Sequence, residues 1–227
     1  MLAEEQKNGR HEPEGRTYVL KDEYETARQN EEFFDSTAET YEKHYKLTFR
    51  TLTKLVSLLP LGDNPYLLDL GCGTGWVLRY AANQTNGKGE FYGVDISSKM
   101  IKLAQAKSQS YGNLHFYKSR VEELPFDDEF FDVVMSTTAF HHFSNPEKAL
   151  REAKRVLKPS GKLYILDITA NNAFMTLMDR YWRKTEPAHV KYYSTKEFQA
   201  LFERARLCYV RSKRINLIYE VLIAEKS

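Results

Sequence analysis

The sequence of 227 residues is long enough to bury one sizeable hydrophobic core, and we predict a single domain. Hydrophobic residues make up 42% of the chain and charged residues 28%, proportions typical of globular proteins, which argues against a disordered chain. The net charge of +2 requires no polyanionic partner, so nucleic acid is not expected as a ligand.

The two cysteines, Cys72 and Cys208, lack the spacing of a metal site or of a disulfide framework. Their small number indicates free thiols in a reducing compartment. No apolar run approaches the roughly 18 to 20 residues of a membrane span, and residues 1–16 are too acidic and polar for a signal peptide. We therefore expect a cytoplasmic protein without a membrane span or a bound metal.

Charge is unevenly distributed along the chain. Residues 1–50 contain 8 Lys and Arg against 12 Asp and Glu, whereas residues 171–227 contain 11 against 6. The basic C-terminal part could contact an anion, although a solvated surface explains the same excess.

In chain order, the sequence divides into five parts. Residues 1–20 are predicted to be flexible, and residues 21–60 are predicted to form a helical cap. Residues 65–170 alternate strand-like and helix-like runs, and we expect them to form the core. An aromatic-rich connection follows over residues 171–194, and residues 195–227 are predicted to close the domain with a helix and two antiparallel strands.

Five runs within the core are apolar, β-branched or aromatic and are bounded by Gly, Pro, Asn or Asp, which is typical of buried strands. They are residues 66–70, 90–96, 114–119, 130–136 and 161–169. The helix-like run before the last strand begins near Pro146 and is expected to stop at Ser160 and Gly161. The alternation predicts an α/β fold of the Rossmann-like, doubly wound type. Its mainly parallel seven-stranded sheet would carry helices on both faces and an antiparallel C-terminal strand.

The stretch LLDLGCGTGW places Gly71, Gly73 and Gly75 directly after the first strand. Ligands of parallel sheets collect at the carboxyl ends of the strands, where a glycine-rich turn lets a cofactor approach the backbone. The second strand ends at Asp95, 24 residues after Gly71, close to the spacing at which an acid binds ribose hydroxyls. The combination indicates an adenosine-containing ligand, whereas the glycines alone could serve tight packing.

The glycine pattern is G-x-G-x-G preceded by Asp69. Dinucleotide sites instead use G-x-G-x-x-G and direct a helix N-terminus at a pyrophosphate. An acid at this position suits a cationic ligand better than a diphosphate.

Five stretches together carry a family resemblance: LLDLGCGTG, YGVDISSKM, VEELPF, FDVVMSTTAFHHFSNP and ALREAKRVLKPSGKLYILD. In this order they resemble the class I S-adenosylmethionine-dependent methyltransferases. The resemblance is closest to the small-molecule branch that includes the ubiquinone/menaquinone C-methyltransferases, and it spans about residues 30–170. It implies S-adenosyl-L-methionine as the cofactor and S-adenosyl-L-homocysteine as the product.

The resemblance also implies a set of cofactor-binding residues. They are Tyr41, Asp69, Gly71 and Gly73 around the methionine part, Asp95 at the ribose, Ile96, Met100 and Val121 around the adenine, and Ser136 and Thr137 beneath the sulfonium. Cys72 and Arg120 are included as neighbours of these residues. In this scheme Val121 uses its backbone amide, and Tyr41 closes over the amino acid end.

Two positions depart from the family pattern. Before VEELPF the family often has Gly-Asp, whereas this chain has Ser119 and Arg120, and a guanidinium cannot accept a hydrogen bond from an adenine amino group. Arg206 stands where the family commonly has Gly, which strains the backbone if that position needs a positive φ. We expect an effect on cofactor affinity rather than on the fold.

His141 and His142 follow the fourth strand at the cofactor end of the sheet and are the candidate catalytic residues. Transfer from a sulfonium gains mainly from alignment and exclusion of water, so a general base is needed only for a protonated acceptor. Either His could take that proton or line the pocket. We favour His142, because the second His is the more regular member of the family's HH pattern.

The connection over residues 171–194 is the candidate substrate cover. Tyr181, Trp182, His189 and Tyr192 are predicted to line a pocket for a flat or apolar acceptor, with core packing as the alternative.

Three functions stay open. The favoured one is a methyltransferase, monomeric or homodimeric, acting on an O, N or C nucleophile of a small molecule. The others are an RNA or protein methyltransferase that uses the basic C-terminal part, and a cofactor-binding protein without catalysis. The stretch STTAFHH lacks the Pro-Pro-aromatic signature of base amine methylation, and neither cysteine is placed for C5 attack on a pyrimidine.

Overall fold

Seven strands form one mixed sheet in a computed structural model of the chain, which describes residues 22–44 and 48–226. In chain order they are β1 (Tyr66–Leu70), β2 (Glu90–Asp95), β3 (Leu114–Lys118), β4 (Phe131–Thr137), β5 (Leu157–Ile168), β6 (Cys208–Arg214) and β7 (Tyr219–Glu225). Their order across the sheet is β3-β2-β1-β4-β5-β7-β6. Strands β1 to β5 are parallel, and β7 is antiparallel to both of its neighbours. The predicted α/β fold is confirmed.

The helices are α1 (Glu23–Thr37), α2 (Tyr41–His44), α3 (Phe49–Val56), α4 (Trp76–Gln84), α5 (Ser98–Lys107), α6 (Pro146–Val156), α7 (Ala173–Thr185) and α8 (Thr195–Arg204). Side-chain caps fix several helix starts, as when Ser97 accepts from the Met100 N–H. Among the described residues, no helix has the length and apolarity to cross a membrane. The prediction for residues 1–20 lies outside the described residues.

The core has two layers, one on each face of the sheet. Successive residues of β1 point to opposite faces, so Leu67 packs into one layer and Leu68 into the other, both fully buried. Helices α3, α4 and α5 cover the Leu67 face, and α6 and α8 cover the Leu68 face. This two-sided burial explains why the strands are continuous apolar runs in the sequence.

Helix α6 ends earlier than the sequence predicts. It stops at Val156, not at Ser160 and Gly161, and β5 begins at Leu157. Proline disfavours helical geometry in the preceding residue, so Pro159 holds Lys158 in an extended conformation. The connection over 171–194, for which the sequence predicts no regular element, contains helix α7.

A left-handed residue ends α8. Arg206 has φ +57°, and its N–H donates to the Glu203 carbonyl while the Leu207 N–H donates to Phe202. These two bonds form the helix-ending motif that favours glycine at its left-handed position. Arg206 therefore has the positive φ that the sequence analysis considered at this position.

We predict that Arg206→Gly stabilises the protein by about 1 kcal/mol, because glycine adopts this conformation without the Cβ strain. Urea unfolding measures the change, and Arg206→Ala is the matched control, since it removes the same side chain but keeps the strain. Equal unfolding free energies for the two variants would contradict this explanation.

Candidate active site

An open cleft lies at the carboxyl ends of the parallel strands, beneath α1. Its walls come from α1, the glycine turn, the end of β2, the loop after β3 and the segment after β4. The lining residues are Ala27, Asn30, Phe34, Tyr41, Gly71, Gly73, Asp95, Ile96, Met100, Ser119, Arg120, Val121, Glu122, Thr138, Ala139, His142, Phe143 and Ser144. A smaller cleft shares Tyr41, Gly71, Gly73 and Thr138 with it.

The glycine turn is held against the end of β2. The N–H groups of Gly71 and Cys72 both donate to the Val94 carbonyl at 2.9 Å, and the Gly73 N–H donates to Asp95 Oδ2 at 2.8 Å. Gly71 has φ +75°, and a Cβ on it would lie 2.6 Å from the Ala139 Cβ. The turn therefore requires glycine for both conformation and space.

Two buried carboxylates lie beside this turn. Asp69 is fully buried, and neither of its carboxylate oxygens has a hydrogen-bond partner among the residues that the structure describes. Burial, reinforced by the nearby charge of Asp95, raises the pKa of Asp69 well above its usual value. Burial also raises the pKa of Asp95 to about 6, against the hydrogen bonds that Asp95 accepts from Ser97 and Gly73. The site is electrostatically suited to a cation.

Helix α1 is fastened over the cleft at both ends. Near its start, Glu23 accepts a hydrogen bond from Arg120 Nη2 at 2.6 Å. Near its end, Asp35 accepts from Ser97 Oγ at 2.5 Å, and between them Asn30 donates to the His142 carbonyl at 2.6 Å. These contacts make α1 the roof of the site.

Arg120 contacts residues of the α1 roof and of the loop after β3. Besides its bond to Glu23, its Nε lies 3.5 Å from Glu122 Oε2, and its guanidinium stacks 4.7 Å over the Tyr24 ring. Arg120 therefore lines the cleft without offering an acceptor, as the sequence indicates.

The two adjacent histidines have different partners. His142 lines the cleft, packs edge-on against Phe34, and donates its Nδ1–H to the Ala188 carbonyl at 2.7 Å. His141 is buried, and its Nδ1 bonds Asp167 Oδ1 at 2.7 Å. Burial and the neighbouring His141 lower the pKa of His142 well below its usual value, so His142 is neutral with Nε2 as an acceptor.

A second acid-histidine pair packs behind the first. His189 Nε2 bonds Asp179 Oδ1 at 3.0 Å, and the same oxygen accepts from the Tyr192 N–H at 2.6 Å. The rings of His189 and Tyr192 lie 4.4 Å apart, and Tyr192 is 5.1 Å from His141. Asp179 of α7 thus holds the loop whose Ala188 carbonyl orients His142.

The structure places most, but not all, of the predicted cofactor-binding residues in the main cleft. Those that line it are Tyr41, Gly71, Gly73, Asp95, Ile96, Met100, Arg120 and Val121. Cys72 and Thr137 line the smaller cleft, whereas Asp69 and Ser136 are buried outside both linings. Ser136 instead donates to the Leu70 carbonyl at 3.1 Å.

None of the four predicted substrate residues lines either cleft. His189 and Tyr192 are buried behind His141, and Tyr181 is 53% exposed. Trp182 contacts the Tyr181 ring edge-on. The assignment of these four residues to the acceptor stays a prediction. In the structure, residues 171–194 hold them outside the cleft.

The roof residues of the cleft are absent from the sequence-based set. Ala27, Asn30 and Phe34 face the cavity from α1. Their spacing of three and four residues puts them on one face of the helix. The polar Asn30 on this otherwise apolar face is the feature of the sequence that could have indicated a ligand-facing roof.

Comparison with known proteins finds methyltransferases among the relatives of this chain. Residues 68–165 match the family described as "Methyltransferase domain". The chain is 33% identical over 155 residues to the uncharacterized methyltransferase YcgJ of Bacillus subtilis, covering 66% of this chain and 60% of YcgJ. It is 35% identical over 106 residues to the ubiquinone/menaquinone biosynthesis C-methyltransferase UbiE of Vibrio vulnificus, covering 45% of this chain and 41% of UbiE. The chain spans less than two thirds of the length of these relatives, and over the matched region it is similar to S-adenosylmethionine-dependent methyltransferases.

Solved structures show the same fold. The methyltransferase in complex with the Trm112 activator of Haloferax volcanii superposes with a TM-score of 0.74 at 23% identity, covering 85% of this chain and 96% of that one. A SAM-dependent methyltransferase from Aquifex aeolicus gives 0.67 at 24% identity, covering 85% and 98%.

The site fits the cofactor that this methyltransferase family implies. A sulfonium nucleoside with an ammonium group would bring positive charge to the unpartnered carboxylate of Asp69. Asp95 lies at the end of β2, where its carboxylate can accept from ribose hydroxyls.

We predict that Gly71→Ala lowers the unfolding free energy by about 2 kcal/mol or more, because the new Cβ meets Ala139 and φ is positive. Gly62→Ala is the matched control, since a Cβ at that position would meet nothing within 4 Å and its φ is not positive. Denaturant unfolding of both variants measures the difference; similar values would show that the turn tolerates a side chain.

Proposed function

We propose that this chain transfers a methyl group from S-adenosyl-L-methionine to an O, N or C nucleophile of a small molecule. The observation that carries the proposal is the buried, unpartnered carboxylate of Asp69 next to the glycine turn. Burial disfavours the ionised form of this acid, and a cationic ligand bound beside it would favour that form again.

The residues divide the cofactor among them in this proposal. Asp69 and the backbone of Gly71 and Gly73 hold the methionine part, Asp95 holds the ribose, and the Val121 amide meets the adenine edge. Bound there, the cofactor supplies an electrophilic methyl group. The protein then contributes alignment and exclusion of water, which together are worth roughly 7 to 11 kcal/mol in well-oriented reactions.

A small acceptor suits the shape of the cleft. The α1 roof, fastened through Glu23, Asn30 and Asp35, covers the carboxyl ends of the strands. Phe34 from the roof and Phe143 from the segment after β4 add apolar walls. A roofed cleft with aromatic walls favours a flat or apolar molecule over a folded macromolecule.

His142 is the residue we assign to the acceptor proton. The Ala188 carbonyl holds the proton on Nδ1, which leaves Nε2 as the only ring nitrogen able to accept one. His141 is tied to Asp167 by its ring and its backbone N–H, so we assign it to positioning the segment after β4.

Calorimetry with S-adenosylhomocysteine tests the cofactor assignment, with NAD as the control ligand. We expect binding of the sulfur nucleoside and none of NAD. Affinity should fall, by up to about tenfold per pH unit, as pH drops below the pKa of about 6 of Asp95, because protonation removes the acceptor for the ribose hydroxyls. Asp95→Asn should bind more weakly by about 1.5 to 3 kcal/mol and lose this inflection.

Binding of NAD in place of the sulfur nucleoside would refute the assignment. A wild-type affinity that stays constant between pH 5 and 7 would refute the role given to Asp95, with the pH range chosen about one unit either side of its pKa.

The role of His142 is tested with an acceptor identified by S-adenosylhomocysteine formation across metabolite pools. His142→Ala should keep cofactor affinity and lose roughly 10²- to 10⁴-fold in kcat, with the acid limb of the pH profile abolished. A rise in KM with kcat unchanged would show a lining role instead. His141→Asn is the comparison variant. It should lower the unfolding free energy and leave kcat closer to the wild-type value than His142→Ala does.

A further inference from the structure

Helix α7 carries three exposed apolar side chains on its outer face. Phe174, Leu177 and Tyr181 are 66%, 63% and 53% exposed, and their spacing of three and four residues places them side by side. The opposite face holds Met175 and Asp179, which are buried against the domain. Large apolar side chains grouped in this way on a surface mark an interaction site.

A fourth exposed apolar residue lies at the same end of the molecule. Leu217, in the turn between β6 and β7, is 88% exposed. The Thr169 N–H donates to the Ile218 carbonyl, and Asn171 Nδ2 donates to Glu220. These bonds hold the turn next to the segment from which α7 begins. We call Phe174, Leu177, Tyr181 and Leu217 the apolar stripe.

Cations border the stripe. Arg180 and Lys184 are exposed on α7, and Lys213 and Arg214 are exposed at the end of β6, directly before the turn. Within residues 22–44 and 48–226, none of these four makes an ion pair. The basic excess of the C-terminal part thus includes unpaired charge beside an exposed apolar surface.

We propose that the apolar stripe and its four cations dock on the surface of an anionic lipid bilayer. The apolar side chains would enter the boundary between headgroups and acyl chains, and the cations would meet lipid phosphates. A helix with large apolar residues on one side and Lys and Arg at its border is typical of interfacial binding. The aliphatic Leu177 and Leu217 argue against nucleic acid, because they offer no ring for stacking on bases.

Docking would bring the bilayer close to the active site. Asp179 lies on the buried face of α7 and holds the loop of His189, whose neighbour Ala188 accepts from His142. An acceptor with an apolar tail could then reach the cleft from the membrane. This consequence rests on the proposed function, whereas docking itself does not.

Co-sedimentation with vesicles tests docking without measuring methyl transfer. The full chain is mixed with phosphatidylcholine vesicles with and without phosphatidylglycerol. We expect binding only to the anionic vesicles, weakening with added salt. The double variants Arg180→Glu/Lys184→Glu and Phe174→Ser/Leu177→Ser should each weaken binding at least roughly tenfold.

Matched controls separate this surface from general charge and apolarity. Lys88→Glu/Lys102→Glu changes two exposed cations elsewhere, and Tyr117→Ser removes a side chain that is 42% exposed on β3. Both controls should bind like the unaltered chain, and circular dichroism checks that every variant is folded.

Several results would overturn the proposal. They are absence of binding to anionic vesicles, equal binding to neutral vesicles, or equal losses in the control variants. Concentration-dependent dimerisation lost in Phe174→Ser/Leu177→Ser, without vesicle binding, would assign the stripe to a second copy of the chain. If the chain does not bind vesicles but binds RNA in a salt-sensitive way, the four cations form a nucleic-acid-binding surface instead.

Discussion

One buried carboxylate joins the loops on which the cleft is built. Asp95 accepts from the Gly73 N–H and from the Ser97 N–H, so it fixes the turn after β1 relative to the start of α5. Ser97 in turn caps α5 and donates to Asp35 of the α1 roof. The turn, the cap and the roof are therefore linked through a single side chain, and its hydrogen bonds offset the unfavourable burial that raises its pKa.

Two buried acids of the site lie close together, and the described residues offer Asp69 no polar partner. Asp69 and Asp95 lie near each other, both are buried, and no cation pairs with Asp69 among the described residues. A fold selected for stability alone would avoid two such acids. Their presence at the carboxyl ends of the strands is better explained by a ligand that supplies the missing positive charge.

The sequence predicts the centre of the sheet well because strands such as β1 and β4 are buried on both faces and are therefore unbroken apolar runs. It predicts the end of α6 less well, because Pro159 and the pairing of Leu157 with Phe131 override the later Ser-Gly signal. The floor of the site follows from short motifs near Gly71 and Asp95. The roof does not, because Asn30 and Glu23 reach the site only through tertiary contacts with His142 and Arg120. The sequence also does not predict that Tyr181 is exposed, since aromatic composition does not distinguish a pocket wall from an outer face.

The environment of His142 restricts the chemistry that it could support as a base. Burial and the adjacent His141 lower its pKa well below the usual value, so His142 holds a proton weakly. A weak base takes a proton more readily from the more acidic hydroxyl groups, such as those of a phenol or an enol, than from an aliphatic alcohol. An amine acceptor differs again, because it attacks while neutral and becomes acidic only after the new bond forms. If His142 acts as the base, the site therefore favours acceptors whose proton is already acidic, or becomes so during transfer.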